Sequence, residues 1–361
     1  MRICVAYDEA VDQTVEQLTG HDALAVNDAD RVVEALHALD HEAWSLGLGQ
    51  SAAVQLTNVV ETKRPELVFN LCDLLCFDHL HAPLVPAMLE LLGVECVGAN
   101  ARGVSLLTQK HHVKALLTQA GLPTPRYQVI HDAHHATKFQ LELEPPVIVK
   151  PTGTHASVGI AQRSVCATEE QVQTQALAAL QRRNEPVLIE EYVHGREIYV
   201  SVQGDPPTPL KPREYDLGQI PEHWVPIRSS ESKWVKEDSK QNLAIEPYVG
   251  ELEDTPIRQG TVNGPKGTRG LEYRCVEAFR LAGGRDWGRV EMRLDRGGIP
   301  LIIDVTSNTY LGAEAACVVA AQADGLNYHQ LIERILAGAI ARAERRAATT
   351  DETKSERVSV P

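Results

Sequence analysis

Two acidic residues lie where the arms of a predicted β-hairpin would bring them together. The arms run from Arg289 to Leu294 and from Leu301 to Thr306, joined through Asp-Arg-Gly-Gly, which is typical of a hairpin turn. Glu291 is then roughly opposite Asp304, and two carboxylates that close repel each other unless a cation lies between them. Oxygen ligands of this kind suit Mg²⁺. The spacing leaves a second interpretation open, a surface ladder of ion pairs with the arginines of the first arm.

A second candidate site is the loop of small residues from Thr152 to Gly159, directly after an apolar strand that ends at Lys150. Backbone amides can approach a phosphate closely in such a loop, and a lysine supplies positive charge. A loop of this kind is weak evidence by itself, because many glycine-containing loops bind no phosphate.

A third candidate is the stretch IEEYVHGRE, in which Glu190, Glu191, Val193 and Glu197 fall at the end of a strand. Adenine needs a backbone donor and a backbone acceptor, and ribose hydroxyls favour a carboxylate. A solvated strand edge explains the same pattern, so this segment gains weight only together with the other two.

The surrounding elements predict an α/β protein that is α+β in part. Over the first hundred residues, strand signals alternate with helical ones, which favours a parallel sheet with ligands at the carboxyl ends of its strands. A helix from Thr108 to Ala120 and the strand ending at Lys150 begin a second unit. Between Ser229 and Gly270 the hydrophobic content falls, which is typical of a lid or a disordered segment.

Composition narrows the function classes. The net charge of -14 disfavours nucleic acid and anionic membranes as partners, so a polyanion such as ATP needs a locally built site. The N-terminus lacks a secretion signal, and we expect a cytoplasmic protein with reduced cysteines. Cys72 and Cys76, with the nearby Asp78, His79 and His81, match no common zinc spacing. We favour a structural or substrate-pocket role for them over a metal site.

Taken in chain order, QKHHVKALLTQAGLPTP, VIVKP, SVG, IEEYVHGRE, GRVEMRLD and IIDVTSN resemble the ATP-grasp superfamily, specifically its D-alanine–D-alanine ligase-like branch. LVFNL and PAMLELLGVECVGAN resemble the N-terminal domain of that branch. The resemblance covers about Leu67 to Leu336, while the first sixty residues match poorly. Each motif is weak by itself, whereas their combination in this order is specific.

The resemblance implies an ATP-grasp fold in three parts and a tail. These are an N-terminal parallel-sheet (pre-ATP-grasp) domain at 1–104, a central subdomain at 105–195, a C-terminal subdomain at 196–342 with a mobile loop at about 229–270, and a disordered tail at 343–361. It also implies ATP and magnesium (or manganese) as cofactors, with two metal ions.

The matching positions receive expected roles from the same resemblance. Contacts with ATP are expected from Lys110 and Lys150 at the phosphates, from Glu190 and the backbone of Glu191 and Val193 at adenine, and from Glu197 at the ribose. Catalytic contacts are expected from Arg289, Ser157 and Lys233. Metal ligands are expected to be Glu291, Asp304 and either or both of Thr306 and Asn308.

The implied activity is the ATP-dependent joining of a carboxylate to an amine through an acyl phosphate. Several substrate-side positions depart from the family pattern: His155 stands where a glycine is usual, Ala156 where a serine is usual, and GAEAAC replaces a serine-rich turn. We therefore expect another pair of small-molecule substrates, such as an amino acid and another amine, and a possible homodimer. The alternatives are a true D-alanine–D-alanine ligase and a non-catalytic ATP-binding module.

Overall fold

The computed structural model describes residues 1–9, 24–230, 249–251 and 268–358. Its strands are β1 Arg2–Asp8, β2 Glu42–Leu48, β3 Leu67–Asn70, β4 Glu95–Val97, β5 Tyr127–Ile130, β6 Val147–Pro151, β7 Val165–Cys166, β8 Val187–Glu191, β9 Glu197–Gly204, β10 Thr208–Pro209, β11 Arg213–Tyr215, β12 Val249–Glu251, β13 Asp286–Leu294 and β14 Pro300–Ser307. Its α-helices are α1 Leu24–Ala38, α2 Ala52–Lys63, α3 Leu84–Leu92, α4 Ala101–Leu107, α5 Lys110–Gln119, α6 Ala133–Lys138, α7 Glu169–Arg183, α8 Thr268–Leu281, α9 Ala316–Ala323 and α10 Tyr328–Val358.

The N-terminal sheet has the order β2-β1-β3-β4, and all of its strand pairs are parallel. Parallel strands covered on both faces contain continuous apolar runs, and LVFN of β3 is buried at every position. The loop after β4 leads into α4, whose first turn is capped by Asn100: its Oδ1 accepts from the Gly103 amide at 2.9 Å. The parallel sheet predicted for this region is therefore confirmed.

The central sheet has the order β5-β8-β6-β7, and its strand pairs are antiparallel. Its own core includes Val149, Val172, Leu180 and Ile189. Helix α7 begins at a capped N-terminus, because Thr168 Oγ1 accepts from the Gln171 amide at 3.3 Å. This sheet presents the ends of β6 and β8 to the candidate site.

The C-terminal sheet has the order β12-β11-β9-β13-β14, with β10 paired to β9. The predicted hairpin is present as β13 and β14, and Glu291 lies opposite Asp304 in its register. A shift in register between Glu291 and Met292 is the signature of a β-bulge. The described sheet therefore aligns the acidic pair across two adjacent strands.

Hydrophobic packing crosses the boundaries that the sequence predicted. The side chains of β1, β3 and α1 share one core with Trp287 and with α9 and α10, and the rings of Phe69 and Trp287 are 5.1 Å apart. Helices α4 and α5 pack with β9 and β13, because Val113 and Leu117 face that sheet. The predicted start of the central subdomain at residue 105 thus does not coincide with a change of core.

The C-terminal helix is longer than predicted. We expected it to end near Arg342 and a disordered tail to follow, but α10 continues to Val358. The segment after Arg342 is rich in Ala, Glu and Arg, which have high helix propensity. Low hydrophobic content after Arg342 therefore did not mean the absence of a helix.

Candidate nucleotide and metal site

The acidic pair lies on a face of the C-terminal sheet that also carries basic and aromatic side chains. Glu291 and Asp304 are opposite each other in the ladder, and Arg289 is opposite Thr306. Burial raises the pKa of the Asp304 carboxyl above its usual range, and the nearby Glu291 charge raises it further, while Lys110 opposes the shift. Two partly buried carboxylates opposite each other in a sheet are oxygen donors that a divalent cation fits.

Lys110 connects this acidic pair to the loop of small residues. It begins α5, and its amide donates to Thr152 O at 3.1 Å. Its Nζ donates to Thr154 O and lies 3.8 Å from Asp304 Oδ2. The small loop turns sharply after this point, since Ala156 and Ser157 have φ values of 53° and 63°, which few non-glycine residues adopt. A buried lysine and a tight loop thus face the carboxylates.

Lys150 at the end of β6 is held by a second buried acid. Its Nζ is 3.0 Å from Glu190 Oε1, and Lys114 Nζ is 2.6 Å from Glu190 Oε2. Burial alone would raise the pKa of the Glu190 carboxyl, but the two lysines outweigh it and lower that pKa. Burial also lowers the pKa of Lys114 to about 8, against the opposing pull of Glu190. Glu190 therefore fixes the position of Lys150.

This arrangement changes one predicted role. The sequence predicted that Glu190 reads adenine, but both of its carboxylate oxygens are committed to lysines. A charged acid within reach of two buried ammonium groups is far more stable there than one turned toward a neutral base. The side chain of Glu190 holds Lys114 and Lys150 instead.

The end of β8 and the residues after it combine a carboxylate in an ion pair with backbone groups that bond to no described residue. The Glu191 amide donates to Arg126 O at 3.0 Å, and the Glu191 carboxylate pairs with the Arg126 side chain at 2.7 Å. Val193 is buried, and among the described residues its backbone makes no hydrogen bond. Since buried backbone groups normally have partners, a ligand with a donor and an acceptor suits Val193. Glu197 is buried at the start of β9, with its Oε2 3.5 Å from Arg293 Nε.

Two arginines bracket Glu291. Arg289 Nη2 lies 2.5 Å and Arg228 Nη1 lies 3.4 Å from the same atom, Glu291 Oε1. Arg289 also lies over the ring of Tyr199 at 5.8 Å. The small loop reaches this group as well, because Ser157 Oγ donates to Arg228 O at 2.6 Å.

Asn308 does not occupy the place predicted for a metal ligand. Its Oδ1 accepts from the Ala99 amide at 3.1 Å, and its Nδ2 donates to Asn70 O at 3.2 Å. The residue is buried and has a left-handed backbone with φ 49°, so its amide joins β14 to the N-terminal sheet. A side chain whose donor and acceptor are both used in buried bonds is a structural link, and Thr306 remains the candidate beside Arg289.

Two predictions lie wholly or mostly outside the described residues. Lys233 is one of them, and most of the predicted lid from Ser229 to Gly270 is the other.

The cysteine and histidine segment after β3 is packed into the fold. Cys72 is buried, and burial raises its pKa well above the usual value for a thiol. His79 is held by Asp73 O, 2.9 Å from its Nδ1. In the part of the chain that the structure describes, no group of three His, Cys, Asp or Glu residues is placed to hold a metal. Mg²⁺ commonly takes only one or two carboxylates and completes its shell with phosphate and water, which the Glu291–Asp304 pair allows.

Sequence reasoning missed two residues of the site. Lys114 could have been found, because it lies four positions after Lys110 on one helix and therefore shares its face. Arg228 follows β11 in an irregular segment without periodicity, so no pattern assigned it to the site.

Comparison with known proteins agrees with the fold. The family described as "D-ala D-ala ligase C-terminus" matches residues 116–217. The chain is 26% identical over 252 residues to a D-alanine–D-alanine ligase of Nitrosospira multiformis, which covers 70% of the chain and 73% of that relative. The D-alanine–D-alanine ligase of Coxiella burnetii superposes with a TM-score of 0.68 over 99% of both chains at 14% identity. These matches bear out the resemblance to D-alanine–D-alanine ligases, at the modest identity of a divergent relative.

Two further comparisons add to this similarity. A D-alanine–D-alanine ligase from Bacillus anthracis, in a structure complexed with ATP, superposes with a TM-score of 0.67, covering 96% of this chain and 99% of that one at 14% identity. A Sinorhizobium fredii protein named "Uncharacterized protein y4sG" is 29% identical over 316 residues, 85% of the chain and 86% of the relative. The ATP-grasp fold predicted from the motifs is confirmed. The prediction of an ATP-grasp ligase that forms carbon–nitrogen bonds is confirmed as well. No helix among the described residues is long and apolar enough to cross a membrane.

Proposed function

We propose that this ATP-grasp ligase converts a small carboxylic acid into an acyl phosphate and joins it to an amine, with Mg²⁺ and ATP bound between the central and C-terminal sheets. The observation that carries the proposal is the acidic pair Glu291–Asp304, partly buried and opposite each other in the sheet, with Lys110, Arg228 and Arg289 around it. A divalent cation held there neutralises phosphate charge, which is the main requirement of phosphoryl transfer.

The proposed reaction has two steps. A carboxylate oxygen of the acid attacks the γ-phosphorus, and the bond from that phosphorus to the β-phosphate oxygen breaks, so ADP leaves with the electron pair. The amine then attacks the acyl carbon, and the bond from that carbon to the phosphate oxygen breaks. Inorganic phosphate departs, and the amine loses a proton to solvent.

Each proposed residue role follows from its placement. Lys110 and Lys150 bind phosphate from opposite sides of the small loop, and the Ser157 segment covers it. The backbone of Val193 meets adenine and Glu197 the ribose, while Arg289 stabilises charge on the acyl phosphate and on the tetrahedral intermediate. Lys233 is a further proposed phosphate contact on the lid, and Thr306 a proposed metal-side ligand.

The acceptor side supports substrates other than two D-alanines. His155 is buried, its ring lies 5.3 Å from that of His79, and Ala156 supplies no hydroxyl where the family usually has a serine. Burial and the neighbouring Lys110 charge keep the pKa of His155 well below the usual range for a histidine, so this wall is neutral and imidazole-rich. We propose an amino acid as one substrate and a different small amine or acid as the other.

The test combines a screen with an isotope experiment. ADP release is measured across amino acids and small carboxylic acids with ATP and Mg²⁺, with and without amines. For any active acid, a carboxylate labelled with ¹⁸O transfers one label to inorganic phosphate if an acyl phosphate forms. Unlabelled phosphate would contradict the acyl-phosphate route, and robust formation of D-alanyl-D-alanine would contradict the substrate proposal. Binding of ATP without ADP release for any pair would favour a non-catalytic module.

A further inference from the structure

Arg228 is a basic residue of the site that the motifs did not assign. Its guanidinium lies 3.6 Å from the centre of the Tyr215 ring, and its Nη1 lies 3.4 Å from Glu291 Oε1. Its side chain is 16% exposed, and its Nε is buried and has no hydrogen-bond partner among the described residues. A guanidinium with an unused buried donor carries a desolvation cost that a ligand would remove.

The segment that carries Arg228 is fastened to the small loop. Ser157 Oγ donates to Arg228 O at 2.6 Å, and the Ser230 amide donates to Ile160 O at 2.7 Å. On the preceding side, the Val225 amide donates to Gln162 Oε1 at 2.8 Å. The backbone of Arg228 is therefore anchored to the central part of the molecule, while its side chain reaches an acid on the C-terminal sheet.

The position of Arg228 along the strands separates two possible ligands. In the register of the sheet, Tyr215 pairs with Glu197, and Tyr199 pairs with Glu291. Arg228 stacks on Tyr215 and reaches Glu291. Its side chain therefore lies between the position proposed for the ribose, at Glu197, and the position proposed for the metal, at Glu291. Arg289, which is proposed to stabilise the acyl phosphate, lies two residues further along β13 from Glu291. Phosphate oxygens, and not an acceptor carboxylate, are the anions expected at the position of Arg228.

Local charge supports the same ligand. Lys110, Arg228 and Arg289 face only two acids, Glu291 and Asp304, in this described part of the site. This group carries an excess of one positive charge before any metal binds, and a divalent cation would increase that excess. A planar fork of donors matches the equatorial oxygens of a transferring phosphoryl group.

We propose that Arg228 is a catalytic residue that binds the γ-phosphoryl group during its transfer, held in place by Tyr215 and by the Ser157 loop. The proposal rests on the proposed function. In the protein without nucleotide, Glu291 serves as the partner of Arg228, and binding of a metal by Glu291 frees the guanidinium for the phosphoryl oxygens.

The test uses a mimic of the transferring phosphoryl group, so it needs no knowledge of the acid or amine. Thermal unfolding of the full-length protein is followed with Mg²⁺ and ADP, then with aluminium fluoride added. Wild type is expected to be stabilised by Mg²⁺–ADP and stabilised further by the fluoride complex. Arg228→Gln is expected to keep the rise in Tm with Mg²⁺–ADP, the first rise, and to lose the further rise in Tm with aluminium fluoride, the second rise. With any acid found by the screen, its kcat for ADP release falls by about 10²-fold, as for the loss of one donor to a transition state.

Controls keep the inference separate from the proposed function. Arg280→Gln removes an arginine from an exposed pair with Glu277 on α8 and is expected to match wild type in both rises. Arg228→Lys keeps the charge without the fork and is expected to lose more than half of the second rise; it decides the test if Arg228→Gln does not fold. A full second rise in the Arg228 variants overturns this inference alone. No response of wild type to Mg²⁺–ADP or Mg²⁺–ATP overturns the proposed function together with it.

Discussion

Glu190 in the central sheet and Asp304 in the C-terminal sheet are two acids near the same lysines, and their electrostatic states are opposite. The ammonium groups of Lys114 and Lys150 hold the pKa of Glu190 low in spite of burial, whereas burial and the charge of Glu291 raise the pKa of Asp304. Glu190 has its counter-charges within the chain. The basic groups around Asp304 do not offset its burial and the charge of Glu291, which makes it the acid where an external cation is expected to bind.

The largest expected effect concerns the under-compensated acid. Asp304→Asn is expected to lower ADP release at least about 10³-fold, because one of two carboxylates that hold the metal is lost. Without metal, Asp304→Asn is expected to be at least as stable as wild type, since the repulsion between the partly buried carboxylates of Asp304 and Glu291 disappears. Glu277→Gln on the surface of α8 is the matched control. ADP release near the wild-type rate in Asp304→Asn would remove the metal assignment.

The compensated acid should show the reverse behaviour, with a loss of stability. Glu190→Gln leaves two buried lysines without their counter-charge, and a loss of about 3 to 5 kcal/mol in the free energy of unfolding is expected, measured with urea. Glu191→Gln, next in the chain but in a partly exposed pair with Arg126, is expected to change it by less than about 1 kcal/mol. Equal effects of the two substitutions would mean that the two lysines do not need Glu190.

A smaller effect tests whether Asn308 belongs with the metal acids or with the fold. Asn308→Ala removes two buried hydrogen bonds to Ala99 and Asn70 and is expected to cost about 2 kcal/mol of unfolding free energy. The affinity for Mg²⁺ in the presence of ADP is expected to stay within about twofold of wild type. A tenfold weaker affinity with unchanged stability would restore Asn308 as a ligand.

The smallest expected effect is the dependence on pH of the contribution that Asp304 makes to stability. Because the folded-state pKa of Asp304 is raised, the folded protein binds this proton more tightly than the unfolded chain. The contribution of Asp304 to stability is therefore complete below its unfolded pKa, and it falls as pH rises through the raised folded pKa.

Metal binding has the opposite dependence, because the cation competes with that proton. Mg²⁺ affinity is expected to fall on acidification, by up to about tenfold per pH unit once Asp304 is protonated. Titrations of wild type and Asp304→Asn at several pH values measure this. An affinity independent of pH in wild type would show that no proton is displaced at this acid.

The sequence could predict the site where it lies on regular strands. The predicted hairpin put Glu291 opposite Asp304, as the strand register has it, and the motif order singled out Lys110 and Lys150. A motif does not show whether a polar side chain is already bonded within the fold, which is why the resemblance assigned Asn308 to the metal and Glu190 to adenine. Arg228 escaped because its position depends on bonds to the distant Ser157 loop, and no local pattern encodes such bonds.

The fold shows the same division. Strands, the hairpin and the cap at Thr168 follow from local patterns of apolar and capping residues. The boundary at residue 105 does not, because α4 and α5 bury their apolar faces against strands almost a hundred or more residues later in the chain. The continuation of α10 was missed because an exposed helix has no apolar stripe to mark its end.

The core shared by β1, β3, α1, Trp287 and α10 has a consequence for engineering. A fragment ending near Ala99 would carry half of that core exposed to water, so it is expected to associate or aggregate when produced alone. Residues 127–191 enclose the core of their own sheet, while the pairs of Glu190 with Lys114 and of Ser157 with Arg228 cross the borders of this piece. Chimeras that exchange it between relatives would therefore replace His155 of the acceptor wall and the surface that meets the nucleotide base, and they would need matching partners at positions 114 and 228.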